Sequence, residues 1–575
     1  MTQTSVTPLQ PAALATGAAP PPDLDQWFHA GLARMTMGLS PASNAAAWTD
    51  WLGHLAISPG KQQALAVQAL AALAAPPDDQ ALAHDRRFAA PQWQKWPFNQ
   101  LASNFVRQEQ WWMDATSGVR GVSPHHAQQA AFMARQVLDM WSPSNFLWTN
   151  PQVLQATAKS RGANLLQGAQ NHLKDVLRAR SKTPRAPSGF EPGKDVAITP
   201  GKVVFRNHLI ELIQYAPQTA TTFAEPVLIV PPWIMKFYIL DLTPQESLVR
   251  YLVEKGHTVF IVSWLNPKAD DRNLGMDDYL KSGVMAALDA VSAIVPRRGI
   301  NALGYCLGGT LLSIAAAFMA RGGDTRLNSL TLLTCELDFS EPGDLSLFID
   351  DSQLDALDDA MADKGYLDGG QMGGSFAMLN ARDLIWSRMV SAYLMGESPP
   401  PGALASWNAD ATRMPYRQHS EYLHQLYRDN ALARGCYLVD SKPVALQDIR
   451  LPVFCLGTQR DTVVPWRTAY KLHLLMRGEV TFCLSSGGHN VGVVNPPGPV
   501  AGRSYQLATH GVDERYIDPD SWLKAAPRHE GSWWPAWQGW LARRSGKRVA
   551  PPAMGNDAAG YPALDDAPGQ YVHTL

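Results

Sequence analysis

The sequence predicts an α/β fold, a parallel sheet covered on both faces by helices and preceded by a mainly α-helical region. Three observations carry this. From about residue 203 onward, short apolar runs alternate with segments of helical periodicity, the pattern of strand, helix, strand that builds a parallel sheet. Before about Arg180, apolar residues recur at three- and four-residue spacing, as in Ala130 to Met140, and β-branched runs are scarce. Between the two regions, Ser181 to Gly193 holds three Pro and two Gly, a composition that sustains neither helix nor strand.

Taken in order, residues 1–22 are rich in Pro, Ala and Thr and are expected to be disordered. Residues 23–190 are expected to form a helical N-terminal domain, and residues 191–575 the catalytic domain. Val203–Phe205 and Leu209–Tyr215 alternate like an antiparallel pair. The strand candidates that follow are Val227–Val230, Val259–Ser263, Ile300–Gly304, Leu330–Leu333, Val453–Leu456 and Val480–Leu484, with helical patterns over Gln245–Lys255, Asp277–Val295 and Leu307–Ala320. About 120 residues separate Leu333 from Val453, where a crossover needs only about a dozen. An inserted subdomain over about 335–450 is therefore expected, placed to cap the strand ends.

Composition excludes several function classes. The 575 residues carry 49 Lys+Arg against 51 Asp+Glu, a formal charge of -2, so no basic surplus exists to bind a nucleic acid backbone. With 46% hydrophobic and 17% charged residues, the chain as a whole is neither disordered nor a coiled coil. The five cysteines, Cys306, Cys335, Cys436, Cys455 and Cys483, form no C-x-x-C pair, which argues against a thiolate metal site and for a reducing compartment. Met1 to Pro22 lacks the charged start and apolar core of a signal peptide. The most apolar stretch, Ala64 to Ala75, is too short for a membrane span. A cytoplasmic protein without a membrane span is expected.

The sharpest local signal is Gly304-Tyr305-Cys306-Leu307-Gly308-Gly309, placed after a strand and before a helix. That is the context of a nucleophile elbow, a tight strand-to-helix turn with the nucleophile at its apex. Gly304 and Gly308 are required where side chains would collide across the turn. The N–H of Leu307, at the helix start, is positioned for an oxyanion. Asp461 and His489 each follow a strand, and the order nucleophile, acid, histidine is that of the α/β-hydrolases. Pro231-Pro232-Trp233 ends an early strand where that fold places its second oxyanion donor. Proline has no N–H, so Trp233 or Ile234 would supply it, unless the segment is only a rigid turn.

A cysteine nucleophile narrows the chemistry. Its acyl form is a thioester, so exchange with an acyl thioester is nearly isoenergetic and the acyl group stays activated. Loading such a thiol needs little more than a Cys–His pair. Attack by a hydroxyl of far higher pKa needs more help, so Asp461→Asn is expected to spare loading and slow the later step.

From about Met140 onward the chain resembles the polyhydroxyalkanoate synthases, in the class built from one type of subunit. The resemblance rests on Ser142-Pro-Ser-Asn-Phe-Leu147 with Thr149-Asn-Pro151, Pro231-Pro-Trp-Ile234, Tyr238-Ile-Leu-Asp-Leu242, the Cys306 elbow, Trp407-Asn-Ala-Asp-Ala-Thr412, Val464-Pro-Trp466, Asn495-Pro-Pro497 and Gly531-Ser-Trp-Trp-Pro535. It implies an α/β-hydrolase fold with a cap, and Cys306, Asp461 and His489 as nucleophile, acid and general base. It implies polymerisation of 3-hydroxyacyl-CoA into polyester with release of CoA, the thioester being substrate and no cofactor or metal being needed. It also implies a homodimer at the polymer granule surface, in the company of other granule-associated proteins. The chain departs from the family pattern at Met235, Thr462, Asn490 and Val491, where Asn, His, Ile and Ala are common. A thiol hydrolase or thioesterase, a granule depolymerase and a low-activity granule-associated paralogue are the alternatives on the same scaffold.

Other features have plainer expectations. Trp533, Trp534, Trp537 and Trp540 fall at helical spacing and suit a helix docked on the core. Cys335, Cys455 and Cys483 read as core thiols, His125-His126 as solvated surface, and Arg543-Arg544 with Lys547-Arg548 as a solvated face.

Overall fold

A computed structural model describes residues 24–36, 39–180, 190–398, 402–498 and 502–575. The disorder expected of residues 1–22, and most of the Ser181 to Gly193 linker, lie outside the described residues.

Among the described residues, eight α-helices span the first region: α1 (Leu24–Met35), α2 (Pro41–Ala56), α3 (Pro59–Ala74), α4 (Asp79–His84), α5 (Phe98–Thr116), α6 (Pro124–Met140), α7 (Pro151–Ser160) and α8 (Ala163–Arg180). Several begin on one local signal, a small polar residue followed by proline. Ser40, Ser123 and Asn150 each accept a hydrogen bond from the first turn, while Pro41, Pro124 and Pro151 occupy positions whose N–H would be unused. None of the described helices is long and apolar enough to cross a membrane.

The second region is built on a ten-stranded sheet. Its strands are β1 (Gly201–Arg206), β2 (Ile210–Tyr215), β3 (Val227–Val230), β4 (Val259–Trp264), β5 (Ile300–Tyr305), β6 (Leu327–Leu333), β7 (Val453–Thr458), β8 (Val480–Ser485), β9 (Ser504–His510) and β10 (Arg528–Glu530). In space the order is β1-β2-β4-β3-β5-β6-β7-β8-β9-β10. The six strands from β4 to β8 run parallel, and antiparallel strands flank them at both edges. The sheet is thus mixed rather than wholly parallel. β9 and β10 have no counterpart among the strand candidates, because β9 is only half-buried and mixes polar with apolar residues, and β10, the edge strand, is Arg-His-Glu. The central strands β3, β4, β5, β7 and β8 are buried along their whole length, which is why they read as continuous apolar runs.

α9 (Leu248–Glu254) leads into β4, and between β6 and β7 lies an inserted, mostly helical segment that includes α10 (Asp351–Lys364). The N-terminal region packs on this insertion. Arg87 pairs with Asp85 (2.6 Å), Glu109 (2.5 Å) and Asp139 (3.2 Å), and Arg382 of the insertion joins the cluster through Glu109 and, at 2.9 Å, Asp139. Gln129 donates to the Leu347 carbonyl and the Asp350 carboxylate at 3.1 and 3.2 Å, and Asn164 to the Leu394 carbonyl at 2.7 Å. His29 meets Asp359 at 3.0 Å. His125 and His126 are not simply solvated: they face Asp350 at 3.6 Å and Asp50 at 2.6 Å.

The remaining expectations fall on the core. Trp533, Trp534, Trp537 and Trp540 are all buried, with Trp533 stacked on Phe454 of β7. Cys335, Cys455 and Cys483 are buried. Arg543, Lys547 and Arg548 are exposed, as expected of a solvated face, and Arg548 donates to the Thr221 and Lys255 carbonyls; Arg544 is half-buried, lying over Trp540 and pairing with Glu479.

Candidate active site

β5 ends at Tyr305, and Cys306 turns the chain at φ 51 and ψ -126 directly into the helix Leu307–Gly322. A non-glycine residue at positive φ is strained and persists only where its surroundings over-determine it. Here the surroundings are two close approaches of backbone to backbone. A Cβ on Gly304 would lie 2.3 Å from the Gly309 Cα, and one on Gly308 would lie 2.1 Å from the Val230 carbonyl oxygen. The elbow therefore requires both glycines, and Gly308 ties it to the end of β3. The Cys306 N–H is used in a 2.9 Å bond to the Leu333 carbonyl. Leu307 is the first helical residue, and among the described residues its N–H makes no backbone hydrogen bond.

Asp461 follows β7. Its carboxylate accepts from the N–H groups of Val463 and Val464 at 3.0 and 2.9 Å, from the Thr458 hydroxyl at 3.2 Å, and from His489 Nδ1 at 2.8 Å. His489 follows β8 in a turn that begins at Gly487, with φ 110. Burial disfavours the imidazolium, but the charges of Asp461 and Cys306 and the hydrogen bonds to both outweigh it, raising the His489 pKa to about 10. With Nδ1 occupied by Asp461, Nε2 is the nitrogen left to face the thiol.

Tyr305 supports the histidine from below the elbow. Its ring lies 5.8 Å from the imidazole at 32°, and its hydroxyl donates to Asn490 Oδ1 at 2.6 Å. Asn490, one of the departures from the family pattern, thus holds a residue of the elbow. The other departures stand apart: Thr462 and Val491 are exposed, and Met235 packs half-buried at the edge of the core, bridged to Ala411.

Cys306 and Leu307 open onto a cavity of about 120 Å3, and Ile234 lines it beside them. The insertion supplies much of the wall, including Phe339, Phe348, Leu357 and Tyr422, and Leu39 of the N-terminal region also reaches it. Ile234 and Trp233 part company here. The Trp233 indole is buried between Tyr279 and Tyr422, and the Trp233 carbonyl accepts from the Thr412 hydroxyl at 2.5 Å. Thr412 N–H in turn donates to the Ile234 carbonyl at 3.2 Å, so the insertion pins this turn. Glu336, which belongs to no sequence motif, also lines the cavity. Its position, directly after Cys335 at the end of an apolar strand, carries no local signal. Among the described residues no group of His, Cys, Asp and Glu is arranged to hold a metal ion.

Family models of the poly-beta-hydroxybutyrate polymerase N-terminus match residues 84–252 and 19–61, and the alpha/beta hydrolase fold model matches residues 225–496. The likeness therefore reaches well before Met140. Poly(3-hydroxyalkanoate) polymerase of Methylorubrum extorquens is 41% identical over 496 residues, covering 85% of this chain and 80% of that protein. The PhaC subunit of Rhizobium meliloti is 40% identical over 499 residues, 85% of this chain and 79% of that protein. The PhaC subunit of Cupriavidus necator is 38% identical over 499 residues, 85% and 83%. A helical N-terminal region, an α/β-hydrolase-like sheet with an insertion and this extent of identity together place the chain: it belongs to the poly(3-hydroxyalkanoate) polymerase family.

Proposed function

We propose that this chain polymerises 3-hydroxyacyl-CoA thioesters into polyhydroxyalkanoate through an acyl-cysteine at Cys306. The observation that carries the reading is the strained Cys306 elbow opening onto a largely apolar cavity, with the His489–Asp461 pair beside it. In this reading His489 takes the thiol proton, and the Cys306 thiolate attacks the thioester carbonyl. The oxyanion that forms is held by the N–H groups of Leu307 and Ile234; Ile234 is preferred to Trp233 because it alone shares the cavity with Cys306. Collapse expels CoA as a thiol, which takes the proton from His489. A 3-hydroxyl then attacks the acyl-cysteine, its proton passing to His489, and one ester bond replaces the thioester.

The apolar wall supports transfer to an alcohol over transfer to water, which is the step that separates a polymerase from a thiol hydrolase, thioesterase or depolymerase. The insertion, about 335–450, serves as the cap, and the domain limits 23–190 and 191–575 belong to the same proposal. So does a cytoplasmic, granule-associated homodimer. Incubating the purified protein with 3-hydroxybutyryl-CoA tests the reading: CoA release with rising turbidity is expected. Free 3-hydroxybutyrate without polymer would favour the hydrolase, and no CoA release the inactive paralogue.

A further inference from the structure

Among the described residues, Glu336 is a buried acid whose carboxyl has no hydrogen-bond partner. The residue is 3% exposed, and both carboxyl oxygens are buried. Its backbone is fixed, since its carbonyl accepts from the Thr310 hydroxyl at 2.8 Å, and Glu336 and Thr310 line the same cavity as Cys306. The Tyr422 and Tyr427 hydroxyls of the same cavity pair with one another. The Lys471 ammonium bonds Glu341 at 2.7 Å and the Ser340 hydroxyl at 2.8 Å. A buried polar group left unpaired is costly, so a side chain of this kind in a substrate cavity asks for a partner on the substrate.

We propose that the Glu336 carboxyl binds the 3-hydroxyl group of the acyl chain delivered to Cys306, and is a specificity-determining residue of this site. The inference rests on the acyl-transfer reading above. Burial pushes the carboxyl well above the usual carboxylate range; the charges of Cys306, Asp338 and Asp461 push the same way and only Lys471 opposes them. The neutral acid presents one donor and one acceptor, the same pair that an alcohol offers. A 3-hydroxyacyl chain satisfies both, whereas a plain acyl chain leaves both unpaired. Sites built to hydrogen-bond a hydroxyl reject analogues that lack it.

The test compares the rate at which 3-hydroxybutyryl-CoA and butyryl-CoA acylate Cys306 in the full chain, followed by intact mass. Wild type is expected to favour the hydroxyacyl thioester by about tenfold or more. Glu336→Gln, which keeps a donor and an acceptor, should retain that preference within about threefold. Glu336→Leu and Glu336→Met should lose most of it while loading butyryl-CoA at least as fast as wild type, and should melt no lower. Apolar variants that keep the preference, slow both thioesters equally or fail to fold would overturn the assignment. Wild type that loads both thioesters at one rate overturns Glu336 alone; wild type that loads neither overturns the acyl-cysteine reading.

Discussion

Nδ1 of His489 lies 2.8 Å from Oδ2 of Asp461, while Oδ1 of the same carboxylate is held by the N–H groups of Val463 and Val464. The carboxylate cannot turn without breaking those backbone bonds. In Asp461→Asn the amide oxygen keeps the two N–H donors, so the NH2 group takes the place of Oδ2 and donates to Nδ1. The imidazole proton is then forced onto Nε2, facing a thiol it can no longer deprotonate. Loading and elongation should therefore both fall, by about two orders of magnitude or more. Asp461→Ala leaves the tautomer free and should load faster than Asp461→Asn. Rapid-quench CoA measurement separates the two; an undiminished burst in Asp461→Asn would restore the simpler expectation that only elongation needs the carboxylate.

Replacing Cys306 by Ala should abolish CoA release and the acyl adduct with the fold intact. Cys455→Ala should keep most activity, because that thiol is buried in the core on β7, where it donates a long hydrogen bond, 3.9 Å, to the Ala469 carbonyl. It should cost about 1–2 kcal/mol of core packing. Retention of turnover within about tenfold by Cys306→Ala would remove this residue from the chemistry.

Gly308→Ala should be among the most damaging small substitutions. The added Cβ would meet the Val230 carbonyl oxygen at 2.1 Å and the Pro231 carbonyl carbon at 2.7 Å, and neither can move without shifting β3 and the Pro-Pro-Trp turn. Overpacking against backbone costs about 1–3 kcal/mol or more. Thermal melting and acylation should fall together, whereas Gly322→Ala, with open space around it, should leave both unchanged.

The His489 pKa, raised to about 10, sets a pH dependence of stability. A group whose folded pKa lies above its unfolded value of about 6.5 stabilises fully below that value, and the contribution is lost as pH rises toward 10. The difference in urea midpoint between wild type and His489→Gln should thus be largest near pH 6 and shrink steadily up to pH 10. A difference that grows with pH would reverse the sign of the coupling.

A chain beginning near Phe190 keeps Cys306, Asp461 and His489, and on the sequence alone it should still be acylated. The structure adds what it would lose: Leu39 from the cavity wall, and the hydrogen bonds that Gln129 and Asn164 give the insertion. Arg382 would lose both of its carboxylates. Acylation is expected to persist but slow by about tenfold or more, with a melting point lowered by several degrees. Intact mass with 3-hydroxybutyryl-CoA checks the first and calorimetry the second; unchanged values for both would make the N-terminal region a bystander to the site.

The sequence by itself determined the class of fold, the elbow and the order of Cys306, Asp461 and His489, because each is a local feature. A buried parallel strand is a short apolar run, and a catalytic residue in such a sheet sits just past one. The glycines of the elbow are legible for the same reason, being demanded by a turn that spans six residues. Tertiary structure alone decided that Ile234 rather than Trp233 shares the cavity, since both lie in one turn and only packing against Tyr279 and Tyr422 separates them. It alone decided that Asn490 holds Tyr305, that the N-terminal helices grip the insertion, and that Glu336 ends unpaired beside Cys306. Each of these joins residues far apart in the chain, and the periodicity of a sequence says which face of an element is buried but not which distant side chain will meet it.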